Sequence, residues 1–191
     1  MDNKLTELCR LAYKYDTDKC PQLKHTYTPF YYEFLKDKRE SIYKVLEIGI
    51  GPYRGRRRGK MGASLRMWRD FFPNAMIFGA DIKPNTVFEN DRIRTFLCDQ
   101  RKKEDLDRLI ENTGTDIDLL IDDASHELKD QIFACQTLMP ILKKDVIYII
   151  EDAVFSKKLL SALGEYKCWV PPISNRGGNN QLVVIRNDEN N

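Results

Sequence analysis

Five apolar runs in this sequence end on acidic side chains. In chain order the endings are Glu47-Ile-Gly49-Ile-Gly51, Ala80-Asp81, Cys98-Asp99-Gln100, Asp122-Asp123-Ala-Ser125-His126 and Glu151-Asp152. A run closed by Gly-x-Gly lets the backbone turn tightly and approach a ligand, and an acid ending the next run can accept hydrogen bonds from both ribose hydroxyls. Gly49, Gly51 and Asp81 together therefore suit a nucleoside. A dinucleotide suits them less well. Gly51 is followed by Pro52-Tyr53-Arg54, so G-x-G-x-x-G is incomplete, and Glu47 precedes the first glycine, where it would repel a pyrophosphate. A ligand carrying an ammonium group, such as the amino-acid end of S-adenosylmethionine, meets no such obstacle. Against this stands a plainer account, in which the glycines serve only the turn and Glu47 caps the N–H groups of its own loop.

Asp122 and Asp123 close one run, and Glu151 and Asp152 close the next. On neighbouring strands these carboxylates would crowd together, and crowded like charges need a cation. Oxygen ligands favour Mg²⁺, Mn²⁺ or Ca²⁺ over zinc. His126, three residues after Asp123 and at the start of a helical pattern, can sit over the same pocket as a general base. Helix capping by Asp123 or Ser125, and by Glu151-Asp152 ahead of Ser156, explains one acid per turn but not two pairs. A third feature is Arg54-Gly-Arg56-Arg57-Arg58-Gly-Lys60, five cations in seven residues beside the glycine turn. It reads as a clamp for an anionic substrate or for RNA phosphates, or as a solvated loop. Tyr27, Tyr31, Tyr32 and Trp68 can line a pocket, although aromatic residues at these spacings more often belong to a core.

These residues need a scaffold, and the hydrophobic pattern supplies one. Residues 3–15 and 28–37 have helical spacing and precede the first strand, Tyr43 to Ile50. Strands at 75–82, 92–98, 117–121 and 146–150 then alternate with helices at 63–72, 103–112 and 127–138. The strands are almost unbroken apolar runs, as expected of strands buried on both faces, so the pattern predicts a doubly wound α/β sheet with parallel strands. Tyr166 to Val170 and Leu182 to Ile185 have no room for a helix between them and are expected to pair antiparallel at one edge, for seven strands in all. In such a sheet ligands bind beyond the carboxyl ends of the strands, where the five acidic endings lie.

The chain has 191 residues, 42% hydrophobic and 31% charged, with a net charge of +2. It is read as one domain over 1–191, with residues 1–40 a helical segment on the substrate side. The charge balance argues against nucleic acid as a general partner. Five scattered cysteines without C-x-x-C argue against a disulfide framework or a cysteine zinc site. The expectation is a cytosolic protein with no membrane span and a small-molecule or glycan substrate; a homo-oligomer is left open.

The string Val45-Leu-Glu-Ile-Gly-Ile-Gly51, with Gly62-Ala-Ser-Leu-Arg-Met-Trp68, Gly79-Ala-Asp81, Cys98-Asp99-Gln100, Ile121-Asp-Asp-Ala-Ser-His126 and Ile150-Glu-Asp152, resembles the class I S-adenosylmethionine-dependent methyltransferases. Within that class it resembles the metal-dependent sugar O-methyltransferases of the macrocin and mycinamicin type. Asp18-Lys19, His25-Thr-Tyr27, Tyr32 and Asn180-Gln-Leu-Val-Val-Ile185 extend the likeness over residues 16–186. The resemblance implies that Glu47, Gly49 and Gly51 surround the methionine part of the cofactor. Ser64 would lie near its carboxylate, Asp81 would hold the ribose, and Asp99 with Gln100 would flank the adenine, with Asp122 on the cofactor side. It implies Mg²⁺ on Asp123, Glu151 and Asp152, His126 as base with Asp123 beside it, and His25, Tyr27, Tyr32 and Arg54 toward the acceptor. The basic loop departs from the family pattern and leaves the acceptor open. The rival readings are an RNA or nucleotide methyltransferase that uses residues 54–60, and a cofactor-binding module that assembles with a partner and has no turnover.

Overall fold

The structure, a computed structural model, describes residues 5–51, 61–174 and 180–187. Helix α1 (Glu7–Tyr15) starts at Thr6, whose hydroxyl accepts the Cys9 N–H at 3.2 Å, and ends at Asp16, left-handed at φ 60°. A loop leads to α2 (Tyr27–Leu35), and a 3-10 turn over Lys36–Lys38 leads to β1 (Lys44–Ile48). There follow α3 (Ala63–Phe71), β2 (Met76–Asp81), β3 (Glu89–Asn90), β4 (Ile93–Leu97) and α4 (Lys103–Thr113). The chain continues through β5 (Leu119–Asp122), α5 (Leu128–Leu138), β6 (Ile147–Ile150), α6 (Ser156–Ala162), β7 (Lys167–Trp169) and β8 (Val183–Arg186).

The strands form one sheet in the order β3-β4-β2-β1-β5-β6-β8-β7. The five central strands are parallel, while β8 pairs antiparallel with both β6 and β7. From β1 the chain runs outward through β2 and β4, then returns to the other side of β1 as β5. Strand order therefore reverses between β1 and β5, which opens a crevice at their carboxyl ends.

Side chains alternate along each strand and divide the core into two layers. Val45, Leu119, Ile121, Ile147 and Ile149 pack under α1, α2 and α3 with Leu8, Tyr31, Trp68 and Phe71. Leu46, Ile48, Leu120, Tyr148 and Ile150 pack on the other face with Leu106, Cys135 and Leu159. The doubly wound α/β class and its antiparallel C-terminal hairpin are as the sequence predicts. The sheet has eight strands instead of seven because Glu89–Asn90 pairs antiparallel with β4. Two exposed polar residues carry no hydrophobic alternation by which to be found. Helix α2 begins one residue earlier than the Thr28-Pro29 signal suggests. Among the described residues no helix is long and apolar enough to cross a membrane.

Candidate functional site

The alternation that sorts the core also sorts the acids. Glu47 pairs in register with Ile121, and Ile121 with Ile149, so Asp123 and Glu151, two residues further on, share the face of Glu47. The three carboxylates point toward the layer of α1 and α2. Into their midst comes Lys19, from the loop between those helices, only 1% exposed. Its Nζ lies 2.6 Å from Asp123 Oδ2, 2.6 Å from Glu151 Oε2 and 3.3 Å from Glu47 Oε1. Burial disfavours the ammonium, yet Asp123, Glu151 and Glu47 together hold its pKa well above that of an ordinary lysine.

The other carboxylate oxygens are also engaged. Tyr31 donates to Glu151 Oε1 at 2.7 Å, and Trp68 Nε1 donates to Glu47 Oε2 at 2.9 Å. Burial raises the pKa of Glu47, and that of Glu151 far more, against the pull of Lys19. At Asp123 burial works upward too, but Lys19 and His126 outweigh it and hold the carboxyl at about 2. Asp122 points to the opposite face, wholly buried, with the Tyr148 hydroxyl 3.4 Å away, and burial pushes it up to about 7.

Asp152 would follow Asp122 to the far layer if the backbone stayed extended. Instead it is left-handed at φ 49°, as is His126 at φ 59°. Side chains rarely adopt that conformation without a structural demand. The two turns bring His126 Nε2 to 3.1 Å from Asp123 Oδ1 and its Nδ1 to 3.4 Å from Asp152 Oδ2. One ligand atom from each of Asp123, His126 and Asp152 lies within 4.8 Å of the others. Behind them Tyr27 donates to Asp152 Oδ1 at 2.5 Å, and His25 stacks on Tyr27 with ring centroids 4.7 Å apart. His25 Nδ1 is 3.6 Å from the same oxygen, and burial lowers its pKa. The hydrogen bond to Asp123 raises that of His126.

The cluster forms one side of a cavity of about 380 Å³, within the roughly 300–1,000 Å³ typical of small-molecule sites. Gly49, Gly51, Asp81, Asp99 and Gln100 line the other side. Gly49 has φ 94°, and a Cβ there would stand 2.1 Å from the Asp123 carbonyl oxygen, so no larger residue lets β1 and β5 approach this closely. Asp81 accepts the Gly51 N–H at 2.7 Å and the Lys83 N–H at 3.0 Å. Arg101 grips Asp99 through Nε at 2.8 Å and Nη2 at 2.9 Å. The Gln100 amide donates to Ser125 Oγ at 3.2 Å.

The cavity thus gathers Gly49, Gly51, Asp81, Asp99, Gln100, Asp123, His126 and Asp152. The other residues singled out from the sequence lie elsewhere. Glu47 and Glu151 face Lys19, Ser64 sits beside Glu47 in the first turn of α3, and Asp122 faces Tyr148. His25 and Tyr27 stand behind Asp152, while Tyr32 packs against Phe71 with ring centroids 6.2 Å apart. Arg54 and the rest of the basic run 54–60 lie outside the described residues. The sequence reading gave no role to Lys19 and placed Tyr31 only among aromatics that line a pocket or fill the core. Their only signals are Asp18-Lys19 within the matching N-terminal segment and an aromatic at core spacing.

The chain is 39% identical over 146 residues to the 8-demethyl-8-(2-methoxy-alpha-L-rhamnosyl)-tetracenomycin-C 3'-O-methyltransferase of Streptomyces olivaceus, an alignment covering 76% of this chain and 36% of the relative. It is 38% identical, with the same coverage, to the mycinamicin VI 2''-O-methyltransferase of Micromonospora griseorubida. Its fold is that of the class I methyltransferases. Its fold overlays that of the MycE methyltransferase of the mycinamycin biosynthetic pathway, solved with Mg, SAH and mycinamycin VI, with a TM-score of 0.76 and 28% identity. That match covers 98% of this chain and 57% of the other. The chain therefore spans about a third of the length of the curated relatives it matches. No protein-family model matches it.

The donor set suits a hard divalent cation. Asp123 Oδ1, Asp152 Oδ2 and the imidazole of His126 converge, while the remaining oxygen of each carboxylate is tied to Lys19 or Tyr27. Mg²⁺ prefers oxygen donors, few of them from protein.

Proposed function

We propose that the chain transfers a methyl group from S-adenosylmethionine to a hydroxyl of a sugar, on a glycan or a glycosylated metabolite, with the help of Mg²⁺. The observation that carries this reading is one cavity with a nucleoside-type wall, Gly49-Gly51-Asp81, facing a carboxylate-imidazole cluster, Asp123-His126-Asp152. The sugar as acceptor rests on relatives named as O-methyltransferases of rhamnosyl tetracenomycins.

In this reading Gly49 and Gly51 let the cofactor lie against the backbone, and Asp81 accepts from its ribose hydroxyls. Asp99 and Gln100 close around the adenine. Asp123 and Asp152 would hold Mg²⁺, with the His126 ring left free beside them and Glu151 kept behind by Lys19. When bound, the ion supplies Lewis-acid polarisation of an acceptor oxygen. His126 takes the proton of the reacting hydroxyl as the methyl group is transferred in line. It lines the cavity, its side chain is 34% exposed, and its bond to Asp123 makes the ring more basic. His25 and Tyr27 orient Asp152 from behind, and the N-terminal segment forms the floor on the acceptor side.

Calorimetry with S-adenosylhomocysteine, repeated with NAD, tests the cofactor, and methyl-transfer assays on diol sugars with Mg²⁺ or EDTA test the reaction. Binding of S-adenosylhomocysteine but not NAD, with turnover lost in EDTA, is the expected result. Replacing His126 with alanine is expected to lower turnover about 10²–10⁴-fold while cofactor affinity stays near wild type. Near-normal turnover in that variant would remove the base assignment.

A further inference from the structure

Lys19, at 1% exposed, is the most deeply buried lysine or arginine among the described residues, and it does not line the cavity. No acceptor hydroxyl reaches its ammonium, so it is neither base nor substrate ligand. Its position is nonetheless specific. The loop carrying it is fixed by its own backbone: the Lys19 carbonyl accepts the N–H groups of Tyr27 and Thr28 at 3.2 and 3.1 Å, and the Asp18 carbonyl accepts that of His25 at 2.8 Å. The long side chain then crosses to the ends of three adjacent strands, where Glu47, Asp123 and Glu151 each present one oxygen within 3.3 Å of the ammonium. Tyr31 adds a hydroxyl at Glu151, so the ammonium sits in an oxygen-rich pocket of the kind that binds a hard metal ion.

We propose that Lys19 is a tethered cation standing in the place of a second metal ion, and that it thereby holds the site to one divalent ion. This rests on the reading of Asp123 and Asp152 as the cation site given above. The ammonium divides the acids in two. Glu151 and Glu47 are turned inward and neutralised, and Asp123 is held by Oδ2 so that only Oδ1 faces His126. Without the ammonium, three carboxylates from three strands would be left in a buried pocket with no counter-charge, a state that takes up protons, recruits a cation or unfolds.

The test is a count of bound Mn²⁺, a spin-visible ion that accepts the same oxygen donors, by calorimetry and electron paramagnetic resonance on wild type and Lys19→Met. Methionine keeps the volume and removes the charge. The expected result is one more Mn²⁺ per chain in Lys19→Met than in wild type, and a return to the wild-type number in Lys19→Met/Glu151→Gln. An equal or smaller number in folded Lys19→Met overturns the proposal. If Lys19→Met folds only with help, refolding decides: soluble recovery restored by Mn²⁺ but not by NaCl of equal ionic strength supports the proposal, and equal recovery overturns it. The two readings fail separately. A wild type that binds no Mn²⁺ removes the cation site of the proposed function, whereas the difference between variant and wild type still reports on Lys19.

Discussion

The two sides of the cavity are built by different means. On the side of β1, β2 and β4, the two aspartates are held by near neighbours in sequence or by backbone: Asp81 by Gly51 and Lys83, Asp99 by Arg101. On the side of β5 and β6, the groups are held by side chains from far away, Asp123 and Glu151 by Lys19, Asp152 by Tyr27, and Glu151 by Tyr31. The first side is a turn geometry that recurs wherever a strand meets a nucleoside. The second is a charge network whose parts have no meaning separately. A rigid backbone cradle can bind a common cofactor, while a network assembled from a separate segment can be altered without disturbing that cradle.

The comparison can be broken most severely at Gly49, where the two sides touch. Gly49→Ala places a Cβ against the Asp123 carbonyl at a left-handed φ, and we expect a loss of about 3–5 kcal/mol in urea denaturation, with both sides failing together. Tyr27→Phe removes the donor behind Asp152 and should touch one side only. Mn²⁺ affinity is expected to fall about 10–100-fold, the usual range when a ligand loses its support, with S-adenosylhomocysteine affinity unchanged in calorimetry. Asp81→Asn is the converse: about a tenfold loss of S-adenosylhomocysteine affinity and an unchanged Mn²⁺ isotherm, because the two sites share no partner. Loss of both affinities in either variant would merge the two sides into one network.

The smallest effect lies outside both sides. Burial pushes the Asp70 carboxyl up, but hydrogen bonds from Tyr15, Lys14 and Arg69 more than reverse this and hold it at about 2. Its unfolded value is about 3.9, so the stability it contributes is complete above pH ~4 and disappears as pH falls through about 2. The difference between wild type and Asp70→Asn in acid denaturation should be about 1 kcal/mol or less and should vanish over that window, with both ligand isotherms unmoved at neutral pH.

What could be read from the sequence follows the same division. Gly49, Gly51, Asp81 and Asp99 are legible because local turn chemistry fixes both their type and their spacing. Asp122-Asp123 and Glu151-Asp152 are legible as acids at strand ends, but not as to which member of each pair enters the cavity. Alternation sends Asp122 and Asp123 to opposite faces, and the left-handed turn at Asp152 then brings that residue back, while Glu151 keeps to the buried side. Nothing local encodes the turn. Lys19 was hidden because a lysine in a polar loop reads as solvated, and only the folded sheet supplies its three partners. Tyr32, placed on the acceptor side by likeness alone, lies on the part of α2 that meets Phe71. The fold was easier: buried parallel strands print their pattern in runs, and only the two-residue β3 left none.

The reach of Lys19 also has a consequence for biogenesis. Its last carboxylate, Glu151, is 132 residues downstream, and at ~5–20 residues per second a ribosome takes roughly 7–26 s to deliver it. Until then the ammonium stays hydrated, since moving it into an apolar interior without its partners is prohibitive. The loop that carries Lys19, although made before β5 and β6, therefore completes its docking only once those strands are in place.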